Sequence, residues 1–265
     1  MTAIAVTIAG SDSGGGAGIQ ADLKTFSALG VYGASVITAL TAQNTLGVQA
    51  IHDVPAEFIA AQIDSVFSDL AVSATKIGML SRVPVIEAVA SGLDRHRVAN
   101  VVLDPVMVAT SGDRLLNPDA ISALRRLLFP RAAIVTPNLL EAAALLDQPV
   151  AMSEDDMLAQ GQRLIGEGAR AVLMKGGHGT GDTSLDLLVT PEGLIRLEAP
   201  RIDTPNTHGT GCTLSSAIAA GLAKGFPLGQ AVSEAKDYVT AAIAASNRLS
   251  VGSGHGPTHH FHAWW

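Results

Sequence analysis

The chain of 265 residues is predicted to fold as an α/β protein with a mostly parallel central sheet, and three observations support this. Short apolar runs alternate with amphipathic segments along most of the sequence. Hydrophobic residues make up 48% of the chain and aromatic residues only 4%, which is typical of strands packed with Ala, Val and Ile and covered on both faces. Many of the 27 glycines lie at predicted strand ends, where open α/β sheets bind ligands.

Six short apolar runs predict the strands Ile4–Ala9, Ala34–Thr41, Ala74–Ile77, Asn100–Leu103, Ala132–Val135 and Ala171–Met174. The segments between them predict crossover helices, which parallel strands require. In the first helix Ile19, Leu23 and Phe26 recur at helical spacing, and Gly30 is a plausible stop. After Pro55, a second helix is predicted to bury a wide apolar face formed by Phe58, Ile59, Ile63, Val66, Phe67 and Leu70.

The last third of the chain departs from this alternation. Leu185–Thr190 and Leu194–Ala199 flank a Pro-Glu-Gly turn and predict a hairpin. Two helices are predicted after it, over residues 210–224 and 228–247. Because no linker, internal repeat or low-complexity block interrupts the sequence, residues 1–265 are predicted to form one domain.

Composition excludes several classes of protein. A net charge of −7 provides no basic stripe for a phosphate backbone, so we expect no nucleic-acid partner. The single cysteine, Cys212, cannot form an internal disulfide, which is compatible with a reducing cytoplasm. The apolar run that ends at Ala9 lacks a basic flank and is too short for a signal peptide or a membrane span. We therefore expect a cytoplasmic protein with no membrane partner.

Residues 207–213 are the most informative stretch. Gly209 and Gly211, with small hydroxyl residues around them, lie where a helix is predicted to begin, so backbone N–H groups stay uncovered. Together with the positive end of the helix dipole, these donors predict a binding site for a phosphate or an oxyanion. The same field is expected to favour the thiolate of Cys212. The competing interpretation is a Thr/Gly-rich helix cap beside a buried cysteine.

A second glycine-rich loop, at residues 10–18, follows the first strand and permits close approach of a ligand or another backbone. Gly16, Gly18 and Ala21 formally match the dinucleotide fingerprint. A dehydrogenase is disfavoured, however, because Gln43 and its neighbours stand where an acidic residue is required. The carboxamide of Gln43 could instead match an amino group beside a ring nitrogen, as in an aminopyrimidine. The alternative is a strand-end glutamine bonded to nearby backbone.

Three charged residues also follow predicted strands. Asp104 and Glu141 are natural Mg²⁺ ligands, although Asp104 could be a turn residue and Glu141 could complement a helix dipole. Lys175, before glycines, could place a charge on a nucleotide phosphate, and the sequence contains no P-loop motif. We interpret His178 as a loop histidine. The histidines of residues 255–262 are not interpreted as a metal site, because no cysteine or spaced carboxylate accompanies them.

Taken together, these motifs resemble the ribokinase superfamily, and specifically the hydroxymethylpyrimidine/phosphomethylpyrimidine kinases of thiamine biosynthesis. The matching segments are IAGSDSGGGAGIQADLK (8–24), TALTAQNT (38–45), KIGML (76–80), DPVM (104–107), TPN (136–138), KGGH (175–178) and HGTGCT (208–213). They span nearly the whole chain in the family's order. The resemblance implies a ribokinase-like three-layer α/β/α sandwich with a small hairpin, and ATP and Mg²⁺ as cofactors.

The resemblance also assigns site residues. Gln43 would hold the pyrimidine edge, and the same pocket would be lined by Gly10, Asp22, Met79, Val106 and Cys212. The nucleotide phosphates and magnesium would be faced by Asp104, Asn138, Glu141 and Lys175, with Glu141 and Asp104 at the metal. The transferring phosphoryl group would be stabilised by Lys175 and by the amides of Gly209, Thr210, Gly211 and Cys212.

The implied reaction is ATP-dependent phosphorylation of 4-amino-5-hydroxymethyl-2-methylpyrimidine and then of its monophosphate, by an enzyme that is a homodimer. We expect the loop at residues 10–18 to help accommodate the phosphate of that monophosphate. Sugar kinases of the superfamily carry an aspartate base where this chain has Cys212, so a thiol of lowered pKa is one candidate base. A pyridoxal or pyridoxine kinase is the alternative function. A non-catalytic binding protein is disfavoured by the intact Lys175, Glu141 and Cys212.

Overall fold

The computed structural model describes residues 2–107, 118–177 and 181–265. Within these ranges nine strands form one sheet: β1 (Ile4–Ser11), β2 (Tyr32–Asn44), β3 (Gly47–Asp53), β4 (Ala74–Ile77), β5 (Val101–Leu103), β6 (Ala132–Val135), β7 (Val172–Lys175), β8 (Thr183–Thr190) and β9 (Gly193–Pro200). Their order across the sheet is β3-β2-β1-β4-β5-β6-β7-β8-β9. Six neighbouring strands, β2-β1-β4-β5-β6-β7, are mutually parallel. The outer strands β3, β8 and β9 pair antiparallel with their neighbours.

Eight α-helices are found in the described ranges: α1 (Gly18–Ala28), α2 (Ala56–Phe67), α3 (Val83–Arg95), α4 (Pro118–Leu128), α5 (Leu139–Leu146), α6 (Glu154–Gly166), α7 (Thr210–Ala223) and α8 (Leu228–Ala244). Short 3₁₀ helices cover Phe129–Arg131 and Ser246–Arg248. The predicted final helix therefore ends earlier than residue 247, and its last turn tightens into the second 3₁₀ helix.

The predicted fold class is confirmed, because the six predicted apolar runs are the six parallel strands and the predicted hairpin is β8–β9. The strand β3 was not predicted. Most of its side chains are exposed and show no alternation of apolar and polar residues, so it is ordered by its pairing with β2. The predicted wide face of α2 was partly wrong: Ile59 and Ile63 are buried, whereas Phe58 is 60% exposed.

Alternation along the strands divides the core into two layers. In β1, Val6 and Ile8 pack on one face of the sheet with residues of α2 to α6, such as Ile63 of α2. Ala5 faces the other side, where it packs with residues of α1, α7 and α8, such as Ala217 of α7. The sheet is thus covered on both faces, as a mostly parallel sheet requires.

This topology places the carboxyl ends of the parallel strands on the same side of the molecule, so the loops that follow them lie next to one another. The C-terminal segment reaches the same region. The His208 N–H donates to Gly256 O at 3.0 Å, and the His259 N–H donates to Ala242 O at 3.0 Å. These bonds tie the tail to the start of α7 and to α8. None of the helices in the described part of the chain has the length and apolar character needed to cross a membrane.

Candidate active site

The start of α7 has the form expected of an anion-binding turn. Gly209 is the N-cap in the left-handed conformation (φ 81°), and no side chain caps the helix. A Cβ at Gly209 would lie 1.9 Å from Gly16 O, so only glycine fits here. The Thr210 N–H donates to Thr207 O at 3.2 Å, whereas no described residue accepts a hydrogen bond from the N–H of Gly211 or Cys212. Two donors at the positive end of the helix dipole are therefore available to an anion.

Lysine 175 lies directly beside this turn. A Cβ added to Gly211 would be 3.3 Å from Lys175 Nζ and 3.8 Å from Asp104 Oδ2. The ends of β5 and β7 and the start of α7 thus converge on one point, although the three segments are far apart in the sequence. An anion that accepted hydrogen bonds from the turn would also lie near the lysine ammonium.

Two buried carboxylates flank Lys175. Its Nζ is 2.8 Å from Asp104 Oδ1 and 3.8 Å from Glu141 Oε2. Asp104 also accepts hydrogen bonds from Thr136 Oγ1 at 3.1 Å and from Ser215 Oγ at 3.2 Å. The oxygens of Asp104 are therefore largely engaged within the protein, which identifies this side chain as the partner that holds Lys175.

Burial and neighbouring charges oppose each other in this cluster. Burial alone would lower the pKa of Lys175, but Asp104 and Glu141 outweigh it and raise that pKa. Burial tends to raise the pKa of Asp104, but the charges of Lys175 and Lys76 bring it below its usual value. Burial raises the pKa of Glu141 to about 7, because Lys175 compensates only in part and Asp104 adds repulsion. Glu141 is thus the member of the cluster that titrates near neutral pH.

Glutamate 141 also stabilises the helix that it begins. The Asn138 N–H donates to Glu141 Oε2 at 2.7 Å, and the Glu141 N–H donates to Asn138 Oδ1 at 2.9 Å, which completes a capping box at α5. The structural alternative for Glu141 is therefore correct, and it coexists with a position 3.8 Å from Lys175. Asn138 reaches the same cluster through a backbone bridge to Lys175.

The expectation of an activated thiolate at Cys212 was wrong for this structure. Cys212 is half-buried, and burial raises the pKa of its thiol to about 11. The charge of Lys76 and a hydrogen bond from the Gly18 backbone lower this pKa, but Asp22 and Asp104 raise it together with burial, so the pKa stays above its usual value. Cys212 is a protonated thiol at neutral pH.

Asp22 does not present its side chain to a ligand. It is completely buried, and its carboxylate accepts hydrogen bonds from Lys76 Nζ at 2.9 Å, Thr7 Oγ1 at 2.6 Å and Ser216 Oγ at 2.6 Å. The assignment of Asp22 to the pocket lining is therefore not supported by this geometry. The network instead ties β1, β4, α1 and α7 together beneath the site.

The remaining predicted lining residues lie at the ends of β1, β4 and β5. Gly10 and Met79 are in close contact, since a Cβ on Gly10 would be 2.7 Å from Met79 Cε. Met79 is held by the hydrogen bond from Thr38 Oγ1 to its carbonyl oxygen at 2.9 Å. Val106 is half-buried, and its N–H donates to Asp104 O at 2.8 Å. His178 lies outside the described residues.

The amides of residues 14–17 in the first glycine-rich loop, at residues 10–18, are already bonded to Asp12. Asp12 Oδ1 accepts from the Gly14 N–H at 2.8 Å, and Oδ2 accepts from Gly16 at 3.0 Å and Ala17 at 2.8 Å. The Gly15 N–H donates to the Asp12 carbonyl at 2.9 Å. These amides give no support to the prediction that the loop accommodates a substrate phosphate, because three of them already surround a carboxylate of the same loop.

Gln43 lies where the first loop meets the α7 turn. Its backbone N–H donates to Ser13 Oγ at 2.8 Å, which joins β2 to the loop. Its Oε1 accepts a hydrogen bond from Thr41 Oγ1 at 3.1 Å, and its Nε2 lies 3.4 Å from His208 Nε2. Since His208 precedes Gly209, the carboxamide and the anion-binding turn face the same region.

Sequence reasoning gave no role to Asp12, Lys76 or His208. His208 Nε2 is 2.9 Å from Asp12 Oδ2, although 196 positions separate the two residues. Their only signal in the sequence was an aspartate within one glycine-rich loop and a histidine before the other. A single sequence does not show that the two loops touch.

The oxygen donors suit Mg²⁺, which prefers one or two carboxylates together with phosphate and water. In the part of the chain that the structure describes, no group of three or more His, Cys, Asp or Glu side chains is placed to hold a metal ion. The two acidic side chains beside Lys175 therefore fit a cation that nucleotide phosphates help to bind. They do not form a complete protein cage.

An uncapped helix start, a buried lysine and two carboxylates at the carboxyl ends of the parallel strands are the features expected of a small-molecule kinase of the ribokinase-like type. Comparison with known proteins agrees. The family model "phosphomethylpyrimidine kinase" matches residues 12–259. The chain therefore belongs to the phosphomethylpyrimidine kinase family.

Individual relatives are similar over their full length. A hydroxymethylpyrimidine/phosphomethylpyrimidine kinase of Rhizobium meliloti is 62% identical and covers 100% of this chain and 99% of the relative. The solved structure of a Clostridium difficile phosphomethylpyrimidine kinase has a TM-score of 0.80 at 44% identity. The match covers 91% of this chain and 99% of the Clostridium difficile chain. The ADP complex of Bacillus subtilis pyridoxal kinase has a TM-score of 0.91 at 39% identity and covers 98% of each chain.

Proposed function

We propose that this enzyme transfers the γ-phosphoryl group of ATP to the hydroxymethyl oxygen of 4-amino-5-hydroxymethyl-2-methylpyrimidine. It then phosphorylates the resulting monophosphate to the diphosphate, for thiamine biosynthesis. The observation that carries this proposal is the uncapped turn of Gly211 and Cys212 beside Lys175 Nζ. The name of the 62%-identical relative supports the substrate and both steps.

Catalysis would consist mainly of positioning and charge stabilisation, because phosphoryl transfer proceeds through a loose transition state with little covalent chemistry for the protein. The N–H groups of Gly211 and Cys212 would donate to the oxygens of the transferring group. Lys175, fixed by Asp104 at 2.8 Å, would place a positive charge on the same oxygens. Both elements are preorganised, so they need no rearrangement at the moment of transfer.

Glu141 and Asp104 would face the magnesium ion that accompanies ATP, with Asn138 at the nucleotide phosphates. Glu141 is the better direct ligand of the two carboxylates, because the oxygens of Asp104 are taken by Lys175, Thr136 and Ser215. When bound, the ion supplies charge neutralisation between phosphate oxygens. The use of ATP is supported by related pyridoxal kinase structures that contain ADP or AMP-PCP.

The alcohol proton need not leave early, since bond formation to the nucleophile lags in a loose transition state. Cys212 is protonated at neutral pH, and therefore does not start the reaction as a base. We assign it a place in the pocket wall, beside the amides that bind the phosphoryl group. The transferred proton passes to a phosphate oxygen or to solvent.

Gln43 favours a pyrimidine over pyridoxal. A carboxamide can donate to a ring nitrogen and accept from an adjacent amino group, and the aminopyrimidine carries that pair. Pyridoxal has no amino group beside its ring nitrogen. Pyridoxal kinase remains the second candidate, because the solved structures of pyridoxal kinases match this fold with TM-scores of 0.90 to 0.92.

We also propose a homodimer formed through the β2–β3 edge of the sheet, in the cytoplasm. Leu40, Leu46, Ile51 and Phe58 are all exposed on this part of the molecule, which would be costly for a solitary subunit. Sedimentation equilibrium should give a dimer for the unmodified protein and a monomer for Ile51→Glu. Leu194→Glu, on the opposite edge strand β9, is the matched control and should remain dimeric.

The test of function is ADP release measured with ATP, Mg²⁺ and, in turn, the pyrimidine alcohol, its monophosphate and pyridoxal. We expect turnover with both pyrimidines and a kcat/KM for pyridoxal at least tenfold lower. A higher kcat/KM for pyridoxal than for the pyrimidine would replace the proposed substrate. Absence of ADP release with every alcohol would contradict a kinase.

A further inference from the structure

We propose that residues 254–260, which we call the C-terminal strap, hold the end of β2 and the start of α7 at a fixed separation. That separation places the pyrimidine alcohol in line with the phosphoryl group at the α7 turn. This role rests on the proposed function, because it concerns how the two substrates are placed relative to each other. It also gives a purpose to the histidine-rich segment at residues 255–262, which the catalytic site leaves unexplained.

One end of the strap binds the residue that follows β2. The Gly254 N–H donates to Thr45 Oγ1 at 3.2 Å, and the His255 N–H donates to Thr45 O at 2.9 Å. The two segments are in close contact, because a Cβ on Gly254 would lie 2.1 Å from Thr45 O. Thr45 is two positions after Gln43, the residue proposed to hold the pyrimidine edge. The strap therefore holds the backbone just beyond Gln43.

The middle of the strap binds the residue before the α7 turn. The His208 N–H donates to Gly256 O at 3.0 Å, and the Thr258 N–H donates to His208 O at 3.4 Å. His208 and Pro257 are thereby paired as in a parallel ladder. His208 directly precedes Gly209, the N-cap of α7. The strap therefore also holds the backbone that enters the anion-binding turn.

The far end of the strap supports the first turn of α7 through a side chain. The N–H and the hydroxyl of Thr213 both donate to Gly209 O at 2.8 Å. Since the hydroxyl has a single proton, its oxygen accepts from His260 Nε2, which lies 3.1 Å away. Burial lowers the pKa of His260 to about 3, so the imidazole is neutral and adds no charge beside the turn. Tyr238 of α8 donates its hydroxyl to His260 O at 2.6 Å and holds this end in place.

The loop at residues 10–18 also connects the same two parts of the site. Ser13 Oγ accepts from the Gln43 N–H at 2.8 Å, and Asp12 Oδ2 is 2.9 Å from His208 Nε2. In-line transfer depends on the distance between the alcohol oxygen and the phosphorus, and a displacement of about 1 Å costs on the order of a hundredfold in rate. Without the strap the loop still joins the two parts. We therefore expect a moderate loss of kcat, with each substrate still bound.

The kinetic test detaches the strap from Thr45 with Gly254→Val, because the new side chain would collide with Thr45 O. We expect kcat for the pyrimidine alcohol to fall about tenfold, whereas the Kd values of ADP and of the pyrimidine change by less than about threefold. Ser253→Val, at the exposed neighbour, is the matched control and should keep the wild-type kcat. An unchanged kcat in Gly254→Val, or a loss confined to the Kd values, would overturn the proposal.

His260 tests the opposite end of the strap. His260→Ala removes the donor to Thr213 and should lower kcat about tenfold, measured at a temperature at which circular dichroism shows the variant to be folded. His260→Gln should restore kcat to within about threefold, because its carboxamide can donate to Thr213. Equal kcat in the wild type and in folded His260→Ala would show that this histidine contributes only to stability, and would overturn the proposal.

Amide hydrogen exchange tests the strap without reference to activity or substrate. In the unmodified protein the N–H groups of His208 and His255 should both be protected. Gly254→Val should remove the protection at His255 and leave it at His208, which also shows that the variant is folded. Exchange of the wild-type His255 N–H at the rate of an unstructured amide would overturn the strap, whatever the enzyme phosphorylates. Absence of turnover in the wild type, with both amides protected, would instead contradict the proposed function and leave the strap intact.

Discussion

Two glycine-rich loops meet at one edge of the sheet, and they use their backbone amides in opposite ways. The loop at residues 10–18 wraps three of its N–H groups around the Asp12 carboxylate. The turn at residues 209–212 has no capping side chain, and a Cβ added to Gly211 would lie 3.3 Å from Lys175 Nζ. The loops are in contact, because Gly209 lies against the carbonyl of Gly16.

The difference shows that glycine content and a helix start do not by themselves make a ligand site. A glycine-rich loop can bind an external anion only if no carboxylate of the chain already accepts hydrogen bonds from its amides. In the first loop the Asp12 carboxylate accepts hydrogen bonds from three backbone amides. In the second turn the N–H groups and the positive end of the helix dipole stay available to an external anion. Two substitutions therefore test the comparison: removal of the Asp12 carboxylate from the first loop, and a branched side chain in the second turn.

The largest effect is expected from Gly211→Val. A side chain here would point at Lys175 Nζ, which is 3.3 Å from the position of a Cβ, and would occupy the space of the phosphoryl group. We expect kcat to fall by about 10²–10³-fold. Gly166→Val is the matched control, because a Cβ at Gly166 has nothing within 4 Å. Steady-state ADP release checks both, and an unchanged kcat in Gly211→Val would remove the turn from the mechanism.

The next effect concerns the thiol of the same turn. With a pKa of about 11, Cys212 should react with iodoacetamide on the order of a hundredfold more slowly at pH 7 than a free cysteine. The rate should rise about tenfold per pH unit up to pH 9 or above. Because Cys212 is the only cysteine, mass spectrometry reports it without ambiguity. A plateau in the rate near pH 8 would mean that the field of the helix start prevails over burial.

Asp12→Ala tests the first loop. Removal of the carboxylate leaves the loop amides and His208 without their acceptor, and we expect a loss of about 2–3 kcal/mol in the free energy of unfolding. Acetate or formate should recover part of the lost stability in this variant and have no such effect on the wild type. Asp69→Ala, at an exposed aspartate, is the control. Thermal unfolding with and without acetate gives the answer, and equal responses of wild type and variant would contradict an internal anion.

The smallest effect is a pH dependence from Glu141. Its pKa is raised to about 7, so its carboxylate charge is present above that pH and is lost as the pH falls below it. We expect kcat/KM for ATP to decline by up to about tenfold per unit below pH 7, with a midpoint that shifts to lower pH as Mg²⁺ increases. Glu141→Gln should have a lower value with no such limb. An identical limb in Glu141→Gln would assign the titration to another group.

The elements of the fold were largely predictable because each depends on local patterns. Apolar runs marked the six parallel strands, and Pro-Glu-Gly marked the β8–β9 hairpin. The edge strand β3 carried no such pattern, since it gains order only from β2. In the site, Lys175, Asp104 and Glu141 were identifiable from their places after strands. That they form one cluster depends on the strand order β5-β6-β7.

The roles of individual side chains could not be predicted where they depend on residues far away in the sequence. Asp12 received no role from the sequence, and only its contacts with His208 and the loop amides show what it binds. Asp22 looked like a lining residue until Lys76 was placed against it in the core. The pKa of Cys212 depends on burial, which no local pattern states. The single-domain and homodimer assignments stay predictions.

The most direct test of the central claim compares the backbone amides of the two loops by NMR. Spectra of ¹⁵N-labelled protein would be recorded with Mg²⁺, ADP and aluminium fluoride, which imitates the transferring phosphoryl group. The account predicts downfield shifts and exchange protection for the Gly211 and Cys212 N–H groups, with Gly14, Gly16 and Ala17 nearly unchanged. Shifts confined to the first loop, with residues 211 and 212 unaffected, would contradict it.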